Sequence, residues 1–513
     1  MTNNYNKDKP ALTVPIRVEM KCLPTINYSL VHANVPYLLK ASLLNNNEMP
    51  LNDVRLQIVL PNYAESQTVT IALIPANGEH IIDPLPQFRF YHHKFRDLIE
   101  PDIVPVTVWV NNEQILLDPP IEVKVLPPNA WHCIGTEEAL TGFIMPHAVD
   151  EIVSRARFEL RRLVKGAQGF ADTFESSDPK AIEKTLQALY LCLQERYSIT
   201  YEYEPRSYAP NWQLVRFHHE VLEELAGTCV DLALLFAACL ENVHRDPLII
   251  LVKTGQDRET GDVLQHAIIG CWRRRSHLKV PVIRDEAQVR QWVNSGDLLV
   301  LDSKGFALTN EFPQGMDFNQ CRKKAVTYIE NYRLCYALDI VAARGAGIAP
   351  MPFGKGVHFG RSAWLAIFRA RQEAERLQSR AVGARHLLLG LLSIEKGLMR
   401  EVLGSFGEAV ADKVADLARK SIPRTDLRRC PLPEDENWPG VLLRAEGIAA
   451  CRGDSLVTEG DLATALLKSG TQVDRVLESE GLQTAECLDV LQQLLRGQTI
   501  SSEWNSTSFV RGK

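Results

Sequence analysis

Three residues of this chain have types and an order that suit nucleophilic acyl chemistry: a cysteine, then a histidine, then an aspartate. Cys229 follows Gly227-Thr228 in ELAGTCVDLALLFAACLE (224–241), His266 sits in VLQHAIIGCW (263–272), and Asp302 closes DLLVLDS (297–303). A thiol attacks only as thiolate, and a free cysteine with pKa ~8.5 is mostly protonated near neutral pH. A helix N-terminus and a nearby imidazolium both lower that value. Thr228 is a good N-cap residue, and the apolar run behind it lasts about three helical turns, which puts Cys229 in the first turn. Cys239, in the same run, lacks that placement and reads as core. His266 lies in an otherwise apolar strand, where a polar ring must find a partner. Asp302 can accept from its second nitrogen and fix the tautomer. Taken singly, the residues leave plainer alternatives open: a buried small thiol, a satisfied core histidine, and a turn former at a strand end.

The elements that must position them belong to a multidomain chain, since 513 residues exceed one core. Residues 1–127 read as an antiparallel, immunoglobulin-like β-sandwich. Val54, Leu56 and Ile58 alternate with Asp53, Arg55 and Gln57, and Val106, Val108 and Val110 repeat the period, as do Ile121, Val123 and Val125. Residues 128–344 run helices first and then short apolar strands, an α+β arrangement. The Gly/Pro-rich stretch 345–357 reads as a linker. Residues 358–497 hold an internal repeat: RARQEAERLQSRAVGARHLLLGLL (369–392) aligns with RAEGIAACRGDSLVTEGDLATALL (444–467). Arg369-Ala370 matches Arg444-Ala445, Ala374 matches Ala449, and Leu391-Leu392 matches Leu466-Leu467. Two helical hairpin units that bury their apolar faces against each other follow from this, as an all-α bundle. Residues 428–440 link the copies, and 498–513 read as a frayed tail.

Several classes are excluded. A net charge of −6 leaves no footprint for nucleic acid, and Arg273-Arg274-Arg275 reads as a solvated strand end. The N-terminal MTNNYNKDKP lacks the apolar core of a signal peptide, and no window reaches the ~20 apolar residues of a membrane span. Eleven cysteines, an odd number without a CxxC pair, suit neither a disulfide framework nor a zinc site. The expectation is a cytoplasmic protein with no metal and no cofactor.

GTCVDLALLFAACLE, followed by PLIILV, HAIIGCW and LLVLDSKGF, resembles the transglutaminase-like cysteine peptidases, in particular the bacterial branch joined to helicases. The resemblance extends upstream through NWQLVRFHHEVL and GFIMPHAVDEIVSRA. It implies a transglutaminase/papain-like core with Cys229 as nucleophile, His266 as base and Asp302 as the group that orients the ring. It places Gln213 as an oxyanion donor. The helicase-linked relatives usually carry Glu at the position of Asp302, and the helicase itself is absent here. The repeat resembles the N-terminal domain of Clp unfoldases, which docks substrates or adaptors and does no chemistry. The chain has no GxxxxGK[ST] motif. The implied activity is a cysteine peptidase acting on protein substrates through a thioester acyl-enzyme, with the repeats recruiting substrates or protein partners. Two alternatives stay open: a protein-crosslinking acyl transferase, and a catalytically silent adaptor. The modular build, by analogy with the helicase-linked relatives, suits a bacterial defence system. The polar loop TGQDRETGD (254–262) either lines the substrate groove or is a hairpin tip.

Overall fold

The computed structural model describes residues 16–170, 173, 180–203, 212–256, 263–353, 358–424, 435, 437–452, 454 and 456–497. Most of the polar loop (257–262), the end of the expected linker (354–357), most of the link between the repeats and the tail 498–513 lie outside the described residues. The chain divides into two compact units, Met1–Thr136 with Pro205–Leu214, and Glu137–Glu204 with Val215–Lys513.

The first unit is β-rich. Strands Leu51–Val59 and Thr107–Val110 pair antiparallel, and the alternation seen in the sequence decides which side is inside. Val54, Leu56, Ile58, Val108 and Val110 are buried, while Asp53 and Arg55 face out. One pairing departs from the all-antiparallel expectation: Thr25–Asn27 runs parallel to Lys124–Leu126. A parallel pair needs a long crossover, and the intervening strands supply it.

In the second unit, five strands form one antiparallel sheet: β1 (Pro247–Gln256), β2 (Val263–Trp272), β3 (Val282–Ile283), β4 (Leu298–Asp302) and β5 (Arg333–Asp339), in the order β3-β5-β1-β2-β4. Helix α1 (Cys229–Asn242) packs on β1 and β2. It is buried on every side from Cys229 to Leu240, as an all-round apolar helix must be. On one face of the sheet, Ile250, Val252, Ile268 and Val300 pack against Val289 of α2 (Glu286–Ser295) and Ala325 and Ile329 of α3 (Phe318–Asn331). The stretch read as a linker is packed where described: Ile348, Ala349 and Met351 are buried, and Met351 N–H donates to Gly142 O at 2.7 Å.

The same unit contains the repeats, each of four helices. The first copy is α4 (Arg361–Arg376), α5 (Ala384–Leu392), α6 (Leu398–Gly404) and α7 (Val410–Ser421). The second is α8 (Trp438–Cys451), α9 (Glu459–Leu467), α10 (Gln472–Glu478) and α11 (Thr484–Leu495). The aligned positions Ala370, Ala374, Leu391 and Leu392, and their counterparts Ala445, Ala449, Leu466 and Leu467, all lie in one shared core. The sequence repeat alone predicts a two-helix hairpin per copy. The additional helices include α6 and α10, of seven residues each, too short to leave a clear period. The repeats join the core through specific contacts. The Arg344 guanidinium, which grips Glu241 at 2.8 and 2.9 Å, lies 5.3 Å from the ring centre of Trp364, and Arg275 pairs with both Asp246 and Glu375. Among the described residues no helix is long and apolar enough to cross a membrane.

Candidate active site

Thr228 caps α1: its hydroxyl accepts from the Asp231 amide, and the Asp231 carboxylate accepts from Thr228 N–H at 2.9 Å. This reciprocal pair is a capping box, and it fixes the start of the helix with Cys229 as the first residue. Cys229 is 3% exposed, at the end of a helix whose dipole favours negative charge. Its thiol lies 4.0 Å from the carbonyl of Gln265, the residue before His266. Asp231 is further tied to Arg216, whose backbone N–H donates to it at 2.9 Å and whose guanidinium also reaches Glu202 and Glu224. Burial is the main influence on the Asp231 carboxyl and leaves it above its ordinary range despite these donors.

His266 and Asp302 meet because of sheet register. Asp302 pairs directly with Ile268, so His266, two residues away on the same face, is its diagonal neighbour. His266 Nε2 lies 2.7 Å from Asp302 Oδ1, and both side chains are buried. Burial, the largest influence on Asp302, pushes its carboxyl up. The hydrogen bond and charge of His266, the Lys304 amide and Lys324 outweigh it and hold the group below its usual range. A carboxylate can only accept, so Nε2 carries a proton, and in the neutral ring Nδ1 is the acceptor nitrogen. Nδ1 has no hydrogen-bond partner among the described residues. Beyond Ile268, β2 runs on past the last rung of its ladder with β4, and Cys229 lies against this stretch.

The turn after β4 is held from below. Cys321 donates its S–H to Asp302 O at 3.3 Å, and Ser303 Oγ donates to Ala267 O at 2.7 Å. Gly305 has no room for a side chain, since a methyl there would strike Cys321 Sγ. Tyr328 lies against the imidazole, with ring centres 4.6 Å apart. Burial first, then Asp302, Tyr332, Glu311 and Cys229, push its phenol up to about 12, so the hydroxyl stays neutral beside the site.

The structure therefore brings together an N-terminal helix cysteine, a histidine with one nitrogen available, and a buried carboxylate that orients it. Such an arrangement can move a proton between a thiol and a leaving group. Gln213 lies in the first unit, on Trp212–Leu214 opposite Trp131, and its amide nitrogen is buried without a partner among the described residues. The residues around the site that sequence reasoning passed over are Asp231, Arg216, Tyr328 and Cys321. For Asp231 the signal was present, as Thr-x-x-Asp ahead of an apolar run. Among the described residues no group of three or more His, Cys, Asp or Glu side chains could hold a metal ion.

Comparison with known proteins bears on the C-terminal region. No curated protein matches the chain. Among solved structures, it is similar to the Hsp104 N-terminal domain from Candida albicans, at 16% identity and TM-score 0.24, over 28% of this chain and 95% of that one. It is also similar to the N-terminal domain of the caseinolytic protease associated chaperone ClpD from Arabidopsis thaliana, at 19% identity and TM-score 0.23, over 27% and 95%. Residues 358–480 match the Clp repeat (R) N-terminal domain family.

Proposed function

We propose that the second unit is a transglutaminase-like cysteine peptidase acting on protein substrates. Cys229 gives its proton to His266 Nδ1 and attacks the substrate carbonyl, and the resulting imidazolium, steadied by Asp302, protonates the departing amine. Water, deprotonated by His266, then cleaves the thioester and restores the thiol. The observation that carries this reading is the buried 2.7 Å His266–Asp302 pair beside a thiol at a capped helix N-terminus. An attacking lysine amine in place of water would cross-link proteins through the same thioester. The oxyanion role of Gln213 rests on the sequence resemblance alone. Clp N-terminal domains bind protein substrates and adaptors, and residues 358–480 are proposed to recruit a protein to the site in that way. The same domain favours a second reading, a silent adaptor in which the triad is vestigial.

The deciding experiment is the pH dependence of iodoacetamide alkylation at Cys229, read by mass spectrometry in the parent chain and in His266→Ala, with the other cysteines as internal controls. Fast alkylation below pH 7 that the variant loses supports the peptidase. A thiol that is inert, or that titrates near ~8.5 in both proteins, leaves the adaptor.

A further inference from the structure

A short strand ties the two halves of the candidate site together and carries two tyrosines beside it. Thr200–Tyr201 pairs in parallel with Ala226–Gly227, which end two residues before Cys229. On its other side it meets the loop that follows Asp302: Tyr201 N–H donates to Leu308 O at 2.9 Å, and Leu308 N–H to Ile199 O at 2.8 Å. Alternation puts Tyr201 and Tyr203 on one face, where their rings meet edge to face with centres 5.7 Å apart. Tyr203 is 86% exposed. The Lys304 ammonium lies 4.3 Å from the centre of the Tyr201 ring. Its own amide is already committed to Asp302 Oδ1 at 3.1 Å. Stacked on the ring, the ammonium has no acidic partner among the described residues. Glu202 points to the opposite face and is paired with Arg216 at 2.7 Å.

Distance makes this surface relevant to a bound peptide. Adjacent strands lie about 4.8 Å apart, and two residues of chain span at most ~7.6 Å. The Tyr201 backbone is therefore within about 12 Å of that of Cys229. An extended peptide advances ~3.4 Å per residue, so a side chain two to four residues from the reacting carbonyl reaches Tyr201 and Lys304.

We infer that Tyr201, Tyr203 and Lys304 form a subsite selecting a substrate peptide with an acidic side chain at that separation. The carboxylate pairs with Lys304, and the aliphatic stem lies on Tyr203. The inference rests on the cysteine-peptidase reading. It is tested without turnover, in full-length Cys229→Ala, by fluorescence anisotropy with two labelled decapeptide pools. One pool carries Glu and the other Lys, scanned through the same positions. The Glu pool binds about fivefold tighter at one register, the upper range for an exposed ion pair, and the preference shrinks as salt is raised. Lys304→Glu reverses the preference, which a purely structural lysine would not do. Equal binding of the two pools, or a preference untouched by Lys304→Glu, overturns the subsite. Failure of the peptidase reading appears separately, in the alkylation of Cys229.

Discussion

Two helices in this chain begin on the same device and use it differently. At α1, Thr228 and Asp231 cap each other, and Arg216 holds the aspartate. At α9, Thr458 and Asp461 do the same: Thr458 N–H donates to the carboxylate at 2.7 Å, and Arg452 holds it at 2.9 Å. The difference is the first helical residue, Cys229 in one and Glu459 in the other. The Glu459 carboxyl lies against Gly397 at the start of α6, where burial pushes it above its ordinary range and the Leu398 and Met399 amides oppose that push. Two of the buried histidines, His386 and His266, diverge likewise. His386 spends Nδ1 on the Gly383 amide and Nε2 on the Ser379 hydroxyl, and burial with the Arg385 charge lowers its pKa to about 4. His266 spends one nitrogen on a carboxylate and keeps the other. A capping box or a buried histidine thus says little by itself. Which groups its neighbours leave available decides between chemistry and scaffolding.

Substitution at the two first-turn positions gives the largest expected contrast. On the proposed function, Cys229→Ala removes the proposed nucleophile and is expected to lower turnover of a protein substrate by about 10⁴-fold or more. Glu459→Ala leaves turnover intact and lowers the melting temperature instead, as seen by calorimetry. Equal losses of turnover would mean that the repeats contribute to the chemistry. Next in size is the aspartate. Asp302→Ala frees the imidazole to rotate and is expected to lower kcat by about 10²–10⁴-fold, and Asp302→Asn, whose amide favours the wrong tautomer, is expected to lose about as much. His386→Ala strands the Gly383 amide and the Ser379 hydroxyl and costs about 1–3 kcal/mol in denaturant unfolding, with turnover retained.

A further substitution separates the two regions by packing alone. Gly390 of α5 faces α4 so closely that a methyl would run into the backbone carbonyl of Ala366. Gly390→Ala is expected to cost about 1–3 kcal/mol by forcing the helices apart. The loss falls on the repeats, so backbone amide exchange rises in α4 and α5 and stays unchanged in β2 and β4.

Some of this was legible in the sequence and some was not. Period-two alternation around Val54 and Val108 names the buried faces because each strand has one inner side. Thr228 reads as a cap because capping is local. The meeting of His266 and Asp302 depends on the Ile268–Asp302 register, which turns and neighbouring strands set and no local pattern contains. Arg216 is invisible for the same reason, since its grip on Asp231 exists only once the segment before α1 folds back. The parallel strand at Thr25–Asn27 escapes notice because its partner lies almost a hundred residues away. In the repeats, the aligned alanines and leucines mark the core correctly, yet the seven-residue helices between them carry too few apolar positions to announce themselves.

The smallest effect lies in how the two capping aspartates respond to pH. Burial dominates at Asp231 and raises its carboxyl above the ordinary range. At Asp461 burial also pushes upward, but the Arg452 and Thr458 hydrogen bonds outweigh it and leave the group lowered. A lowered carboxyl contributes stability that is complete above its unfolded value and is lost as pH falls through its folded value. A raised one behaves oppositely: its contribution is present at acid pH and is lost as pH rises through the folded value. Each aspartate-to-asparagine change disturbs a cap worth about 0.5–2 kcal/mol. The penalty for Asp461→Asn should therefore shrink as pH is lowered from 7 toward 3, and the penalty for Asp231→Asn should grow. Urea unfolding at several pH values measures both slopes. Parallel slopes would mean that the two carboxylates share one charge state, and that α1 and α9 differ only in the residue each presents first.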